Sequence, residues 1–482
     1  MTEQIQEKVQ RALSDSAAMR WGILLLASVA MATNYYFYDV LSPIQDLLQK
    51  ELGISPSQYG TILLFYSIPN GFFFLAAFGG IICDKLGIRL TGRLFFTSML
   101  VGAGLTYYAT TPAFNGGGPG HGLLSSFLTG YSPALKLMCI GFLFFGLGAE
   151  TSCVVISKAI VKWFRGRELA LALGVNVGIA RLASSATFAV GAYLSKPDFT
   201  RPVAFGFALM ASGFLAFLVY AAFDKRLDRS LPAEKKSEDE FHILDALKLL
   251  ATPSYLFVVL LCVTFYSAVF PFNKYAVDLL QNKFAFDKQT AGILMSALPI
   301  AQAFITPFFG WVCDFKGKSA TLMIIGSLLL AVGHLTLSLT SIHPIVPLAI
   351  LGIAFSLVPA AMWPALAKIV EEKRLGTAYG LTFSIQNIGL ALTTPLIGYV
   401  LELSNPKVVA LKQQAAALLA KGAGPDDPIV KAAEAAVYNY RNPILMLSIF
   451  GLFGLVFAFL LKRADKTGGF GLEQPNKMEK RG

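Results

Sequence analysis

Stretches such as MCIGFLFFGLG (residues 138–148), YLFVVLLCVTFYSAVF (255–270) and PILMLSIFGLFGLVFAFLL (443–461) recur along the whole chain. With their flanking residues such runs reach roughly 18–25 residues, the length at which a helix crosses a hydrocarbon core. The core of a bilayer offers no partner to a free backbone N–H or C=O, so only helices and closed barrels span it. A barrel would show alternating segments of roughly ten residues, and the sequence has none. A soluble domain is excluded by composition, with 55% hydrophobic and 14% charged residues. The fold class is therefore an all-α membrane protein.

Twelve transmembrane helices are predicted, at 21–43, 57–83, 90–112, 134–162, 168–194, 202–223, 252–281, 289–313, 319–341, 344–370, 375–402 and 443–461. An even number puts both termini on one side. Basic residues concentrate in the segments on that side, which the positive-inside rule makes cytoplasmic. The charged stretch LDRSLPAEKKSEDE at 227–240 has the composition of a flexible linker and divides the spans six and six. The predicted organisation is a cytoplasmic segment (1–20), a six-helix bundle (21–223), a linker (224–251), a second bundle (252–461) and a cytoplasmic tail (462–482). The Ala-rich segment 404–441 reads as one or two amphipathic helices covering the outer surface.

Two opposite charges interrupt the apolar pattern, Glu150 in GLGAETSC and Arg181 in NVGIARLASS. KWFRGRE forms the inner turn between them. Each charge lies 15 residues from that turn, or roughly 22 Å at about 1.5 Å per residue. They therefore sit at one depth on antiparallel neighbours near the midplane. Each would cost about 2.5–3.5 kcal/mol at a helix centre, so neither faces lipid. One reading is a buried ion pair fastening spans four and five. The other is a substrate site: Arg181 offers a bidentate fork to a carboxylate, and Glu150 offers an acceptor to an ammonium group. Further candidate lining residues are Tyr35, Tyr36 and Asp39 in NYYFYD, Tyr266 and Lys274 around the helix-breaking Pro271, and Asn387. Lys274 could equally snorkel, Tyr35, Tyr36 and Asp39 could be interfacial anchors, and Gln386 and Asn387 could be helix–helix glue. His334 reads as a packing residue.

Several chemistries are excluded or unexpected. GKS at 317–319 resembles the end of a phosphate-binding loop, but Val312 stands where that loop needs glycine. No nucleophile–base pair is visible, so no enzyme is expected. The five cysteines lie in or beside apolar segments and suggest neither disulfides nor a metal site, and no cofactor is expected. The net charge of +11 reflects cytoplasmic loops, with no nucleic-acid partner implied.

The halves repeat each other. GIICDKLGIR (80–89) and GWVCDFKGKS (310–319) each follow the second span of a half, and LALGVNVGIA (171–180) matches TAYGLTFSIQNIGLA (377–391). These loops resemble the signature loop of the major facilitator superfamily, with Ile88 where a first basic residue often stands. The resemblance implies two pseudo-symmetric six-helix bundles that rock by alternating access. It also implies a gating role for Gly80, Asp84, Gly87, Arg89, Gly310, Asp314, Gly317 and Lys318, the two aspartates locking the inner face while the outer face is open. GLGAETSCVV, KWFRGRELALALG, MWPALAKIV and related stretches resemble the branch containing major facilitator superfamily domain-containing protein 1, whose animal member is a lysosomal dipeptide transporter.

The expected function is thus secondary active or facilitative transport of small solutes, dipeptides or similar zwitterions foremost. An organic anion or acidic sugar held by Arg181 and Lys274 is the alternative. A transport-dead receptor or scaffold would show degraded gating loops, and both loops here are intact. The expected partners are a small-molecule substrate and the lipid bilayer. A monomer is expected, with no accessory subunit indicated. Short loops point to a bacterial inner membrane, with a lysosomal membrane as the alternative.

Overall fold

The structure is a computed structural model describing residues 16–164, 167–228, 248–371, 374–424 and 426–475. Most of the charged linker, the first 15 residues and the last seven lie outside the described residues.

Span one is Ala17–Tyr38, started by the Ser16 hydroxyl, which accepts from the Met19 N–H. A short 3-10 turn and the helix Gln45–Leu52 follow. Span two starts at Pro56–Gly71 behind a full capping box made by Ser55 and Gln58. It then breaks at residues 72–74, where Phe74 takes φ 53, and continues at an angle of 51°. The uninterrupted span predicted over 57–83 is thus bent. The next helix, Leu75–Thr110, holds the rest of span two and all of span three, separated at Gly87 by a non-helical φ of 79 and ψ of 157. Nine further long helices follow among the described residues: four (Pro133–Phe164), five (Leu169–Leu194), six (Arg201–Asp228), seven (Pro253–Phe284), eight (Lys288–Phe315), nine (Ser319–Leu339), ten (Ile345–Ile369), eleven (Leu375–Ser404) and twelve (Arg441–Gly468). Pro271 does not break span seven, which runs through it. In membranes the freed carbonyl is re-satisfied by neighbouring groups, and proline is tolerated.

Packing follows the internal repeat. In the first bundle, span one lies on five and six, two and three on four, and three on six. In the second, seven lies on eleven and twelve, eight and nine on ten, and nine on twelve. The bundles meet along two lines, two against eleven and five against eight. Exposed apolar residues such as Phe304, Leu392 and Phe459 form the lipid-facing surface.

The terminal face is the one at which the described chain starts, at Ser16, and stops, at Pro475, and the distal face is opposite. On the distal face, residues 404–441 form two helices, Pro406–Ala420 and Pro428–Ala435. They reach both bundles: Gln49 Nε2 donates to Tyr438 Oη at 2.6 Å, and Asn282 Oδ1 accepts from the Tyr438 N–H at 2.7 Å.

Small residues set how closely the helices approach. A Cβ on Gly102 would lie 2.4 Å from the Gly141 carbonyl oxygen, and one on Gly141 would lie 2.4 Å from Thr106 Oγ1. Spans three and four therefore touch backbone to backbone. Span two meets span eleven in the same way at Gly60 against Pro395, Gly71 against Ile388, and Ala77 against Gly380. Gly102→Val is expected to cost about 1–3 kcal/mol by overpacking. Gly22→Val, where a Cβ meets nothing within 4 Å, should be near neutral; thermal unfolding of the two purified variants compares them.

Candidate substrate site and gates

Glu150 and Arg181 both lie midway along their helices and are half-buried. They do not pair: among the described residues no ion pair within 4.0 Å joins them. Each has other neighbours. Tyr66 Oη, from span two, donates to Glu150 Oε1 at 3.1 Å, and the Asn387 amide of span eleven reaches the same carboxylate. The Arg181 guanidinium lies 5.7 Å from the centre of the Tyr35 ring. The Tyr35 phenol is within electrostatic range of both Glu150 and Arg181, so it lies near both charges. The ion-pair fastener is not formed, and each charge keeps hydrogen-bonding capacity for another group.

Asn387 is fully buried and donates to the Phe383 carbonyl at 3.0 Å, leaving its Oδ1 unpartnered beside Glu150. On the other side of the site Tyr266 stacks on Phe270 with ring centres 5.3 Å apart, and its hydroxyl accepts from Trp363 Nε1 at 3.2 Å. Trp363 stacks in turn on Phe383. The second bundle thus presents an aromatic wall opposite the charges of the first.

Three expectations change. Tyr36 is buried against Phe205 of span six, with ring centres 5.7 Å apart. Adjacent helical residues point about 100° apart, so Tyr36 turns into the first bundle while Tyr35 faces the charges. Lys274 does not snorkel: it is 2% exposed. Lys274 and Asp39 bind each other at 2.6 Å instead of waiting for a ligand. Ser184 Oγ donates to the second Asp39 oxygen, Lys274 Nζ also donates to the Tyr38 carbonyl, and the ammonium lies 3.4 Å from the Tyr38 ring centre. This pair joins span one of the first bundle to span seven of the second.

Other contacts join the bundles at the same end. Tyr59 Oη donates to the Lys274 carbonyl at 3.2 Å, Tyr275 Oη donates to the Pro56 carbonyl at 2.9 Å, and Lys288 pairs with Asp46 at 2.5 Å. The Ser57 N–H donates to Glu402 at 2.8 Å. The molecule is closed at its distal face. Sequence reasoning missed Tyr59, Tyr66, Trp363 and Tyr275. Each is an aromatic residue within an apolar run, and only its polar atom, aimed across a helix interface, sets it apart.

At the terminal face, Asp84 pairs with Lys158 of span four at 2.5 Å, and Lys158 also donates to the Gly80 carbonyl. A Cβ on Gly80 or Gly310 would meet nothing within 4 Å, so neither is required by a close helix approach in this state. Gly87 and Gly317 have φ of 79 and 71, which favours glycine at both. Arg89 binds Asp224 and Asp228 of span six. Asp314 ends span eight, and Lys318 takes φ 68 at the start of span nine. Gln386 accepts from Cys262 of span seven, which fits the role of helix glue. His334 is fully buried against Phe272. No group of potential metal ligands occurs among the described residues.

Two repeated bundles around a charged midplane site, shut on one side by contacts between the bundles, define a membrane transporter. The sequence matches the family model described as Major Facilitator Superfamily over residues 24–279 and 274–477. It is 30% identical over 397 residues to the lysosomal dipeptide transporter MFSD1 of Homo sapiens, covering 80% of each chain. Over 381 residues it is 30% identical to the Mus musculus protein of that name, covering 77% of each. Among solved structures the fold resembles nucleoside transporter NupG (TM-score 0.67, 14% identity, 92% of this chain and 99% of that one). It also resembles a bacterial homolog of the human lysosomal transporter Spinster (TM-score 0.64, 14% identity, 94% and 98%). The chain belongs to the major facilitator superfamily, in the branch of the MFSD1 proteins. It is an integral multi-pass membrane protein that transports a small molecule, and it is not an enzyme.

If Lys274 and Asp39 form a distal latch, Lys274→Met alone strands a buried carboxylate and should destabilise by about 3–5 kcal/mol. The double variant Lys274→Met/Asp39→Asn should regain most of that loss. A double-mutant cycle on thermal unfolding measures the difference.

Proposed function

We propose that the chain carries small zwitterionic peptides, dipeptides foremost. Arg181 takes the carboxylate end and Glu150 the ammonium end. The observation that carries this reading is that the two opposite charges lie half-buried in neighbouring spans, unpaired with each other, with Tyr35 near both. A ligand with both charges can bridge that gap. It replaces the lost hydration of each end with a charge-assisted hydrogen bond. Asn387 Oδ1 adds an acceptor for the ammonium. The MFSD1 relatives, named as dipeptide transporters, support the same substrate class. An anion clamp by Arg181 and Lys274 is disfavoured because Lys274 is already held by Asp39.

Transport then proceeds by rocking. Substrate enters from one face, the bundles close over it, and the opposite latch parts. The Lys274–Asp39 contact is the distal latch, and the loops at Asp84 and Asp314 are the terminal gate. We take the terminal face as cytoplasmic on its basic residues and transport as facilitated. We take the protein as a monomer without an accessory subunit, in a bacterial inner membrane on the shortness of its loops. The lysosomal membrane named for the relatives is the alternative.

The test is a binding matrix of wild type, Arg181→Lys and Glu150→Gln against free, amidated and N-acetylated dipeptide. Arg181→Lys should weaken the free dipeptide roughly tenfold or more, since a charge-assisted bond contributes about 1.5–3 kcal/mol. It should barely change the already weak binding of the amide. Glu150→Gln should weaken ligands with a free amine and leave the acetylated one unchanged. Losses that ignore which end is blocked would assign both charges to the scaffold.

A further inference from the structure

The two halves fasten their signature loops by different means. In the first bundle side chains do it. Arg89 binds Asp224 at 3.0 Å and also Asp228, while Lys162 binds the same two carboxylates at 2.8 and 2.5 Å. The loop between spans two and three is thereby tied to spans four and six.

Aligning the repeats sets Arg89 opposite Ser319, Lys162 (AIVKWF) opposite Lys368 (ALAKIV), Asp224 (FDK) opposite Asp465 (ADK), and Asp228 opposite Gly469. The second half therefore lacks the arginine and one of the two acids. Gly469 instead takes φ 66 and caps span twelve. The chain then turns back beneath the loop between spans eight and nine. Leu472 is fully buried there, and its N–H donates to Asp465 at 3.1 Å. The Ser319 N–H donates to the Leu472 carbonyl at 2.9 Å, and the Lys318 N–H donates to the Glu473 carbonyl at 3.2 Å. Glu473 accepts from the Thr321 N–H at 2.9 Å and from its hydroxyl at 2.8 Å. Lys368 donates to the Gly471 and Gln474 carbonyls at 3.0 and 2.9 Å. A Cβ on Gly317 would lie 2.4 Å from the Gln474 backbone, whereas one on Gly87 meets nothing within 4 Å.

We propose that residues 470–475 form a strap that positions the second signature loop for closure of the terminal face, replacing the Arg89–Asp228 contacts of the first half. The proposal rests on the reading of these loops as the terminal gate. Backbone does here what side chains do in the other bundle, and Glu473 is its anchor. Burial pushes the Glu473 carboxyl upward, but the two Thr321 bonds and the nearby Lys462 and Lys318 outweigh it and hold it below the usual carboxylate range. A depressed value contributes docking stability above the ordinary carboxylate range. That stability is lost as pH falls through the lowered value.

The experiment uses the full chain in nanodiscs and two readouts that need no substrate. Amide hydrogen exchange over residues 316–323 reports docking. Spin labels at Leu171→Cys and Trp311→Cys, on the terminal ends of spans five and eight, report closure. Glu473→Gln and Gly317→Ala should raise exchange at Lys318, Ser319 and Thr321 at least tenfold and leave residues 86–93 unchanged. They should also cut the short-distance population at least threefold. Gly87→Ala shares the strained φ without the clash, so it should leave exchange at 316–323 as in wild type. Thr321→Ser, which keeps both bonds to Glu473, should match wild type in both readouts. Unchanged exchange in Glu473→Gln and Gly317→Ala would overturn the strap. Raised exchange with an unchanged distance distribution would leave a fastener and overturn its role in closure. Failure of dipeptide binding would sink only the substrate reading, since neither readout uses a ligand.

Discussion

A charge inside the bilayer must find a partner or a wet surface, and the architecture is arranged around that requirement. Helix formation already satisfies the backbone of every span. What remains is the placement of the few ionisable side chains that composition allows. Asp39 and Lys274 satisfy each other across the two bundles, with Ser184 and the Tyr38 carbonyl completing their bonds. Such a pair contributes little net stability over apolar packing. It does, however, make one arrangement of the bundles much better than neighbouring ones. Glu150 and Arg181 differ in that neither neutralises the other, and they remain available to a ligand.

The duplicated halves keep the same helix contacts while their ends have diverged. Gly102 and Gly141 let spans three and four meet backbone to backbone, whereas Gly326 and Gly333 of span nine admit the Val358 and Leu351 side chains of span ten. The loops after spans two and eight share a glycine with positive φ. Their fastenings differ because Ser319 stands where the first half has Arg89. A serine cannot reach two carboxylates, and the chain after span twelve bonds the loop there instead. The repeated sequence thus conserves the turn, and the second bundle recruits its support from elsewhere in the chain.

Much of this fold was legible in the sequence because bilayer thickness converts directly into run length. The twelve spans and the shared depth of Glu150 and Arg181 follow from spacing, and the signature loops from a repeated motif that resembles a known family's. The break at residues 72–74 was not legible, since three phenylalanines read as uninterrupted helix. Pro271 misled in the other direction. Within the site, Tyr35 and Tyr36 were offered alike as lining residues, and only the packing of Tyr36 on Phe205 separates them. Lys274 and Asp39 were recognised as unusual, yet their pairing is a long-range contact between spans one and seven. No local pattern encodes it. Tyr66 was missed for the same reason, because its hydroxyl matters only beside Glu150.

The two lines along which the bundles meet are unequal. Spans two and eleven touch closely at Gly60, Gly71 and Gly380, from the distal end to the terminal end. Spans five and eight touch at Gly292 against Phe188 and at Ser185 against Ser296, toward the distal side, while Gly174 and Gly178 near the terminal end of span five have no neighbour within 4 Å of a Cβ. Close contact thus runs the whole length of the seam between spans two and eleven but only the distal part of the seam between spans five and eight. In this state the mouth at the terminal face is therefore a wedge rather than a round pore. Arg181, on span five, stands on its wide side, while Glu150, bonded by Tyr66 of span two and Asn387 of span eleven, stands nearer its narrow one.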